Sequence, residues 1–95
     1  MPSICLETEI TISNRLGLHA RPASRFASLA SEFESDVWLI KDNDAVNGKS
    51  ILEVLTLACP RGSRLRIRVK GPDAATALSA LRTLIAGGFG EQDGS

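Results

Sequence analysis

The residues best suited to chemistry lie in one segment, residues 14–23, which reads NRLGLHARPA and contains the only histidine of the chain, His19. The segment leads into a predicted helix, and a helix N-terminus presents unpaired N–H groups and a partial positive charge. A phosphate bound there would meet the backbone amides of Ala20 and Arg21. The Arg21 guanidinium adds charge-assisted hydrogen bonds, and Gly17 lets the loop turn tightly. These residues predict a histidine in an anion-binding pocket, although a histidine at a helix start also commonly serves as a cap or surface residue.

A second pattern, at residues 50–53, predicts the start of another helix. Ser50 followed by Glu53 forms a capping box, in which the serine hydroxyl and the glutamate carboxylate each accept from a backbone amide of the helix start. The helix is predicted to continue through Leu57, and Pro60 and Gly62 end it. Ser50 therefore has a structural role as an N-cap before any other role is considered.

Alternation and helical spacing predict the elements that position these two segments. The predicted strands cover residues 6–12, 37–40, 45–47 and 64–70, and the predicted helices cover 20–30, 51–57 and 73–86. The order β-α-β-β-α-β-α implies an α+β fold, an open-faced β-sandwich in which a four-stranded antiparallel sheet carries three helices on one face. If the first and last strands are neighbours, Glu7 and Glu9 lie beside the arginines of the last strand.

Composition and charge limit the class of protein. The chain has 95 residues, 43% hydrophobic and 23% charged, with eleven basic and eleven acidic side chains. These values favour one domain over residues 1–95, with 91–95 as a loose tail, and argue against disordered and membrane classes. Balanced charge provides no global field for nucleic acid or anionic lipid. We expect Cys5 and Cys59 to be free, partly buried thiols without a metal. The N-terminus resembles no leader, which favours a cytoplasmic location.

Three motifs share a family pattern: GLHARPA at 17–23, NGKSIL at 47–52 and GPD at 71–73. In this order and spacing they resemble the HPr family, the histidine-containing phosphocarriers of the bacterial phosphoenolpyruvate-dependent phosphotransferase system. The similarity runs over essentially the whole chain and implies the same β-α-β-β-α-β-α sandwich. It also implies that His19 receives a phosphoryl group on Nδ1 from phospho-enzyme I and passes it to a histidine of an enzyme IIA-type acceptor. Arg21 matches the active-site arginine of the family.

The resemblance also suggests a regulatory residue and a partner surface. Ser50 matches the serine that an HPr kinase/phosphorylase modifies in species that possess one, and its capping role is the competing interpretation. Apolar residues near the starts of the first two helices would dock enzyme I and the acceptors. The expected docking residues are Leu18, Ile51, Leu52 and Leu55. On this view the protein is a monomeric carrier, not an enzyme, and it uses no cofactor or metal.

Other functions stay open at this point. Within the family, the nitrogen-related carrier has the same histidine chemistry but serves regulatory acceptors instead of sugar permeases. A sheet with a basic open face is also found in RNA-binding modules, which stack bases on strand aromatics. Trp38 is the only aromatic residue in a predicted strand, which disfavours that function. A stand-alone phosphatase would need a second acid–base group or metal ligand beside His19, and the motif offers none.

Overall fold

The fold is known from a computed structural model that describes residues 4–90. Its strands are β1 (Ile4–Thr11), β2 (Asp36–Lys41), β3 (Asp44–Asn47) and β4 (Arg64–Gly71), and its helices are α1 (Ala20–Ala30), α2 (Ile51–Leu55) and α3 (Ala74–Ala86). All strand pairs are antiparallel, in the order β1-β4-β2-β3. This confirms the predicted open-faced α+β sandwich. The predicted tail, residues 91–95, lies outside the described residues.

Strand β4, one of the two inner strands, shows why the sheet has one buried and one open face. Leu65, Ile67 and Val69 are at most 1% exposed and face the helices, whereas the basic residues between them face the open side. Burying each of these three apolar side chains stabilises the fold by about 1.5–3 kcal/mol. The alternation of the sequence therefore sets which face of the sheet receives the helices.

The neighbouring strand β1 supplies the acidic partners on the open face, as the sequence predicts. Glu7 lies opposite Arg68 in the β1–β4 register, and Arg68 Nε approaches Glu7 Oε1 at 2.9 Å. Arg66 Nη1 lies 3.3 Å from the other oxygen of the same carboxylate. The hydrogen bond from Arg68, assisted by the charges of both arginines, lowers the pKa of Glu7 below its ordinary value. Arg66 and Arg68 thus have a structural role within the sheet, as partners of Glu7.

Two helix boundaries carry information. Helix α2 ends at Leu55, two residues before the predicted end. The amides of Thr56 and Leu57 donate to Glu53 and Val54, three residues back, so the chain tightens into a 3₁₀-type turn there. Helix α3 ends before Gly87, as predicted.

A short 3₁₀ turn, Gly88–Gly90, follows α3 and was not predicted. Its Phe89 is 1% exposed and packs in the core despite a left-handed backbone, with φ of 59°. Arg25 of α1 donates from Nη1 to the Phe89 carbonyl oxygen. The turn after α3 is therefore fixed to the first helix. Over residues 4–90, no helix is both long and apolar enough to cross a membrane.

Candidate functional site

The loop between β1 and α1 is a compact, hydrogen-bonded turn. The backbone amide of Gly17 donates to the Asn14 carbonyl at 3.1 Å, and the Asn14 side-chain Nδ2 donates to the Gly17 carbonyl at 2.6 Å. The amide of His19 donates to that same Gly17 carbonyl at 3.1 Å. A single carbonyl oxygen therefore connects the side chain of Asn14 with the backbone of His19.

Gly17 is required here because another part of the backbone lies against it. Its φ is +71°, and a Cβ at this position would lie 2.4 Å from the carbonyl oxygen of Cys59. The same Cys59 oxygen accepts a hydrogen bond from the Leu18 amide at 2.8 Å. The segment that follows α2 thus holds the residue directly before His19.

The burial of Leu18 corrects one predicted docking residue. Its side chain is 5% exposed and belongs to the core, because the bond to Cys59 turns the loop inward at this point. Leu16, two residues earlier, is 58% exposed instead. In this loop Leu16 is therefore the exposed leucine, whereas Leu18, the expected docking residue, is buried.

His19 is the N-cap residue of α1, which confirms the predicted helix start. Its backbone is extended (φ −89°, ψ −169°), and its carbonyl accepts from the Ala23 amide at 3.0 Å. The imidazole makes no capping hydrogen bond and is half-buried, while Ala20 and Arg21 are exposed. The first helical turn contains no acidic residue that would neutralise its positive end. Pro22, which has no N–H to leave unpaired, is fully buried beneath this turn. This helix end can accept an anion beside the imidazole.

The start of α2 is organised differently from the start of α1. Ser50 Oγ accepts from the Glu53 amide at 3.3 Å, so the serine caps the helix as predicted. The Glu53 carboxylate does not return to the Ser50 amide. It accepts instead from the Asn47 amide at 3.2 Å, while the Ser50 amide donates to the Asn47 carbonyl at 3.1 Å. The capping box is therefore half formed, because the preceding turn already satisfies the amide of Ser50.

The apolar residues of α2 divide between core and surface. Val54 is fully buried, Leu55 is half-buried, and Ile51 and Leu52 are 40% and 79% exposed. The two exposed residues occupy the first turn of the helix, directly after Ser50. Because α1 and α2 pack against each other, these side chains belong to the same part of the fold as His19.

The turn after α2 links that helix to the loop between β1 and α1 (residues 12–19, the histidine loop). Lys41 Nζ donates to the Ala58 carbonyl at 3.1 Å, which places a cation at the C-terminal end of α2. Cys59 follows and is 4% exposed, and burial raises the pKa of its thiol while the charge of Lys41 opposes the shift. Both cysteines are free as predicted, but Cys5 is exposed instead of partly buried, because its side chain lies on the open face of edge strand β1.

Sequence reasoning missed Asn14. The residue is 4% exposed, and its side chain donates to the Gly17 carbonyl in the loop that precedes His19. The available signal was an asparagine three residues before a glycine, since asparagine side chains bond nearby backbone groups in turns.

An open-faced α+β sandwich whose first helix begins at a lone histidine defines a class of phosphocarrier domains, and the comparisons with known proteins agree. A family model described as PTS HPr component phosphorylation site matches residues 6–87. The chain therefore belongs to the HPr family of phosphocarrier proteins.

Individual relatives are similar along most of their length. The phosphocarrier protein HPr of Neisseria meningitidis is 45% identical over 86 residues, which cover 90% of this chain and 97% of the relative. A phosphocarrier protein NPr of Shewanella violacea is 38% identical, covering 90% and 94%. The crystal structure of HPr-C-His from Thermoanaerobacter tengcongensis superposes with a TM-score of 0.88 at 42% identity, covering 92% of this chain and 98% of that one.

Proposed function

We propose that His19 is the residue of this phosphocarrier that is transiently phosphorylated. The supporting observation is its place at the first turn of α1 in a chain of the HPr family that has no second histidine. Phospho-enzyme I is the donor: its P–N bond breaks as a P–N bond to His19 Nδ1 forms. A second exchange of the same kind then breaks the P–N bond at His19 as a P–N bond forms to a histidine of an enzyme IIA-type acceptor. The group passes between imidazoles and not to water, so the protein acts as a carrier and not as a hydrolase.

The helix end and Arg21 share the task of stabilising the phosphoryl oxygens. A helix N-terminus acts as roughly half a positive charge, whereas an attached phosphoryl group carries about −1.5 to −2 at neutral pH. The amides of Ala20 and Arg21 therefore do not balance the group alone. The exposed Arg21 guanidinium supplies the remaining charge through charge-assisted hydrogen bonds. This division makes Arg21 a functional residue and not only a surface charge.

Enzyme I and the acceptors dock on the exposed apolar residues around the site. Leu16, Ile51 and Leu52 expose 58%, 40% and 79% of their surface, and exposed apolar side chains near a reactive residue favour a partner contact. Leu55, which is half-buried, lies at the margin of this surface. Leu18 acts from the core by holding the loop.

Removing His19 tests the assignment. His19→Ala, mixed with enzyme I and labelled phosphoenolpyruvate, should take up no label, because no other imidazole exists in the chain. The wild-type label should be acid-labile and base-stable, as a phosphoramidate is. Circular dichroism should show the variant folded. Label on folded His19→Ala would overturn the proposal.

The choice of acceptor divides two functions within the family. The NPr relative favours testing the nitrogen-related branch beside sugar transport. Purified protein, enzyme I, labelled phosphoenolpyruvate and each candidate IIA protein should be mixed one pair at a time. The sugar-transport function predicts label on a sugar-specific IIA protein, and label only on a regulatory IIA protein assigns the nitrogen-related branch. In either branch we place the carrier in the cytoplasm, as a single domain without a cofactor.

Ser50 is the regulatory residue in this proposal, as a substrate for an HPr kinase/phosphorylase. Its hydroxyl caps α2, and the residue is half-buried and directly precedes the exposed Ile51 and Leu52. A phosphate at this N-cap is compatible with the helix dipole, so the fold would tolerate it. Its charge would instead act on docking, because partner contact must desolvate the neighbouring apolar side chains.

A further inference from the structure

We propose that Asn14 is a positioning residue for phosphoryl transfer, acting on His19 through the Gly17 carbonyl. The inference rests on the proposed function of His19 and extends it to a residue outside the motif that suggested it. Asn14 touches neither donor nor acceptor in this role. It sets the backbone from which the reactive imidazole projects.

The hydrogen bonds form a short connected path. Asn14 Nδ2 donates to the Gly17 oxygen at 2.6 Å, and the Gly17 amide donates back to the Asn14 oxygen at 3.1 Å, so the two residues close a ring. The Gly17 oxygen also accepts from the His19 amide at 3.1 Å. A rotation of the peptide that carries this oxygen would therefore change the backbone position of His19.

Burial makes the side-chain bond effective. Asn14 is 4% exposed, and a buried amide is stable only when hydrogen-bonded. The turn after α3 contributes to this cover, because a Cβ built on Gly88 would lie 3.8 Å from Asn14 Cβ. Arg25 of α1 holds the next residue of that turn by its carbonyl. With water kept away, the bond has little competition.

The loop has a second support, which separates positioning from folding. The Leu18 amide bonds to Cys59 at 2.8 Å, and Gly17 lies directly against the backbone of Cys59 and Pro60. These contacts keep the loop attached to the fold without the Asn14 side chain. Loss of that side chain should therefore alter the orientation of the Gly17 peptide, and with it the imidazole, in a molecule that stays folded.

The experiment measures transfer from phospho-enzyme I over a range of carrier concentrations, which separates kcat from KM. Asn14→Ala removes the amide, and Asn14→Asp keeps its shape but removes the donor. Val69→Ala is the matched control, because Val69 is a fully buried β4 residue near the opposite end of that strand from the loop. All are assayed below their thermal midpoints. Leu52→Ala reports what a pure docking loss looks like.

We expect Asn14→Ala to lower kcat by about 10- to 100-fold with KM nearly unchanged, because misplacing a reacting group by about 1 Å has effects of that size. Asn14→Asp should fall in the same direction. Val69→Ala should lower the thermal midpoint and leave kcat within about twofold. In Asn14→Ala, the amide proton of Leu18 should keep its protection from exchange, whereas the amide proton of His19 should lose its protection.

Three results would overturn the positioning role: equal kcat for Asn14→Ala and wild type, equal losses for Asn14→Ala and Val69→Ala, or a change in KM alone as for Leu52→Ala. If Asn14→Ala does not fold, the kcat and the amide exchange of Asn14→Asp decide the question. His19→Ala in the same assay tests the underlying function separately. Label on that variant would refute the assignment of His19, whereas its absence together with wild-type kcat for Asn14→Ala would refute only the positioning role.

Discussion

The first two helices begin in opposite ways. At α1 the cap residue is His19, whose side chain makes no capping hydrogen bond and whose helix has no acidic residue in its first turn. At α2 the cap residue is Ser50, whose hydroxyl accepts from the Glu53 amide, and Glu53 places a negative charge in the first turn. The N-terminus of α1 is left electropositive, whereas the N-terminus of α2 has one amide capped by Ser50 and an acidic residue in its first turn.

The difference shows where an anion can be accommodated. A serine cap satisfies one of the amides that a helix leaves unpaired, and a histidine is not among the preferred caps. Helix α1 thus forgoes local stability at its N-terminus and keeps the amides of Ala20 and Arg21 available to a ligand. Helix α2 instead has a cap within its own sequence, the Ser50 hydroxyl. A phosphate on Ser50 would add charge to a helix N-terminus that already has a side-chain cap. A phosphate on His19 would supply hydrogen-bond acceptors to a helix N-terminus that has no side-chain cap.

The largest expected loss of stability comes from Gly17→Ala, which changes the loop directly before the N-terminus of α1. A left-handed backbone costs a non-glycine residue about 1–2 kcal/mol, and forcing a group into packed space costs about 1–3 kcal/mol more. The Cβ would lie 2.4 Å from the Cys59 oxygen, so that contact must open. Urea denaturation should show a loss of stability, and transfer to His19 should fall with it.

Gly62→Ala is the matched control for this substitution. Gly62 has a φ of +91° but nothing within 4 Å of its Cβ position, so it carries the backbone cost without the contact. It should lose less stability than Gly17→Ala and keep the transfer rate. Equal losses in the two variants would show that the Cys59 contact does not hold the histidine loop.

The contrast between these glycines also marks the limit of prediction from sequence. Strand β4 was predictable because Leu65, Ile67 and Val69 alternate with charges, and the start of α1 because Pro22 and the apolar spacing are local signals. The burial of Leu18 was not predictable, since it depends on a bond to Cys59, forty-one residues away in the chain. The proposed role of Asn14 depends likewise on cover from Gly88, which is distant along the chain but lies beside Asn14 in the fold. Periodicity carries no information about such contacts.

A charge at the second helix start should affect docking more than folding. Ser50→Asp keeps an N-cap acceptor, so its thermal midpoint should stay close to that of wild type. We expect the KM for phospho-enzyme I to rise about tenfold, which corresponds to about 1.4 kcal/mol, because the charge lies beside Ile51 and Leu52. Ser50→Ala should transfer normally. Phosphorylation of Ser50→Asp at the wild-type rate over all carrier concentrations would leave Ser50 with its capping role alone.

Serine and alanine at the two cap positions compare the helix starts directly. Ser50→Ala should lose about 0.5–1 kcal/mol, since it removes a 3.3 Å cap bond. His19→Ser should gain up to about 1 kcal/mol over His19→Ala, because the extended backbone of residue 19 suits a serine cap. In a domain of this size, about 1 kcal/mol shifts the thermal midpoint by about 4–8 °C. His19→Ser should be inactive in transfer. A His19→Ser protein no more stable than His19→Ala would contradict the interpretation of α1 as an uncapped helix.

The third helix start provides the smallest effect and a pH dependence. Asp73 is the N-cap residue of α3, but its carboxylate accepts hydrogen bonds from the backbone amides of Glu34 and Ser35, at 3.0 and 2.9 Å, and from the Ser35 hydroxyl. Here the side chain of the cap residue bonds to a turn that is far away in sequence, at Glu34 and Ser35, and not to its own helix. The bond from Ser35 Oγ, followed by that from the Glu34 amide, lowers the pKa of Asp73 below its ordinary value.

Because the folded-state pKa of Asp73 is lowered, its contribution to stability is fully present above the unfolded value of about 3.9 and is lost as pH falls through the folded value. Wild type should therefore be more stable than Asp73→Asn at pH 7, and the gap should narrow as pH falls below about 4. Thermal midpoints of both proteins from pH 7 down to 3 measure this gap. Glu7→Gln is the control, because the pKa of Glu7 is also lowered, in its case by the exposed side chains of Arg68 and Arg66. Since salt screens exposed charges, added salt should reduce the pH dependence of the difference between wild type and Glu7→Gln more than that of the difference between wild type and Asp73→Asn. A difference in thermal midpoint between wild type and Asp73→Asn that stays constant with pH would mean that the charge of the Asp73 carboxylate does not hold the turn at Glu34 and Ser35.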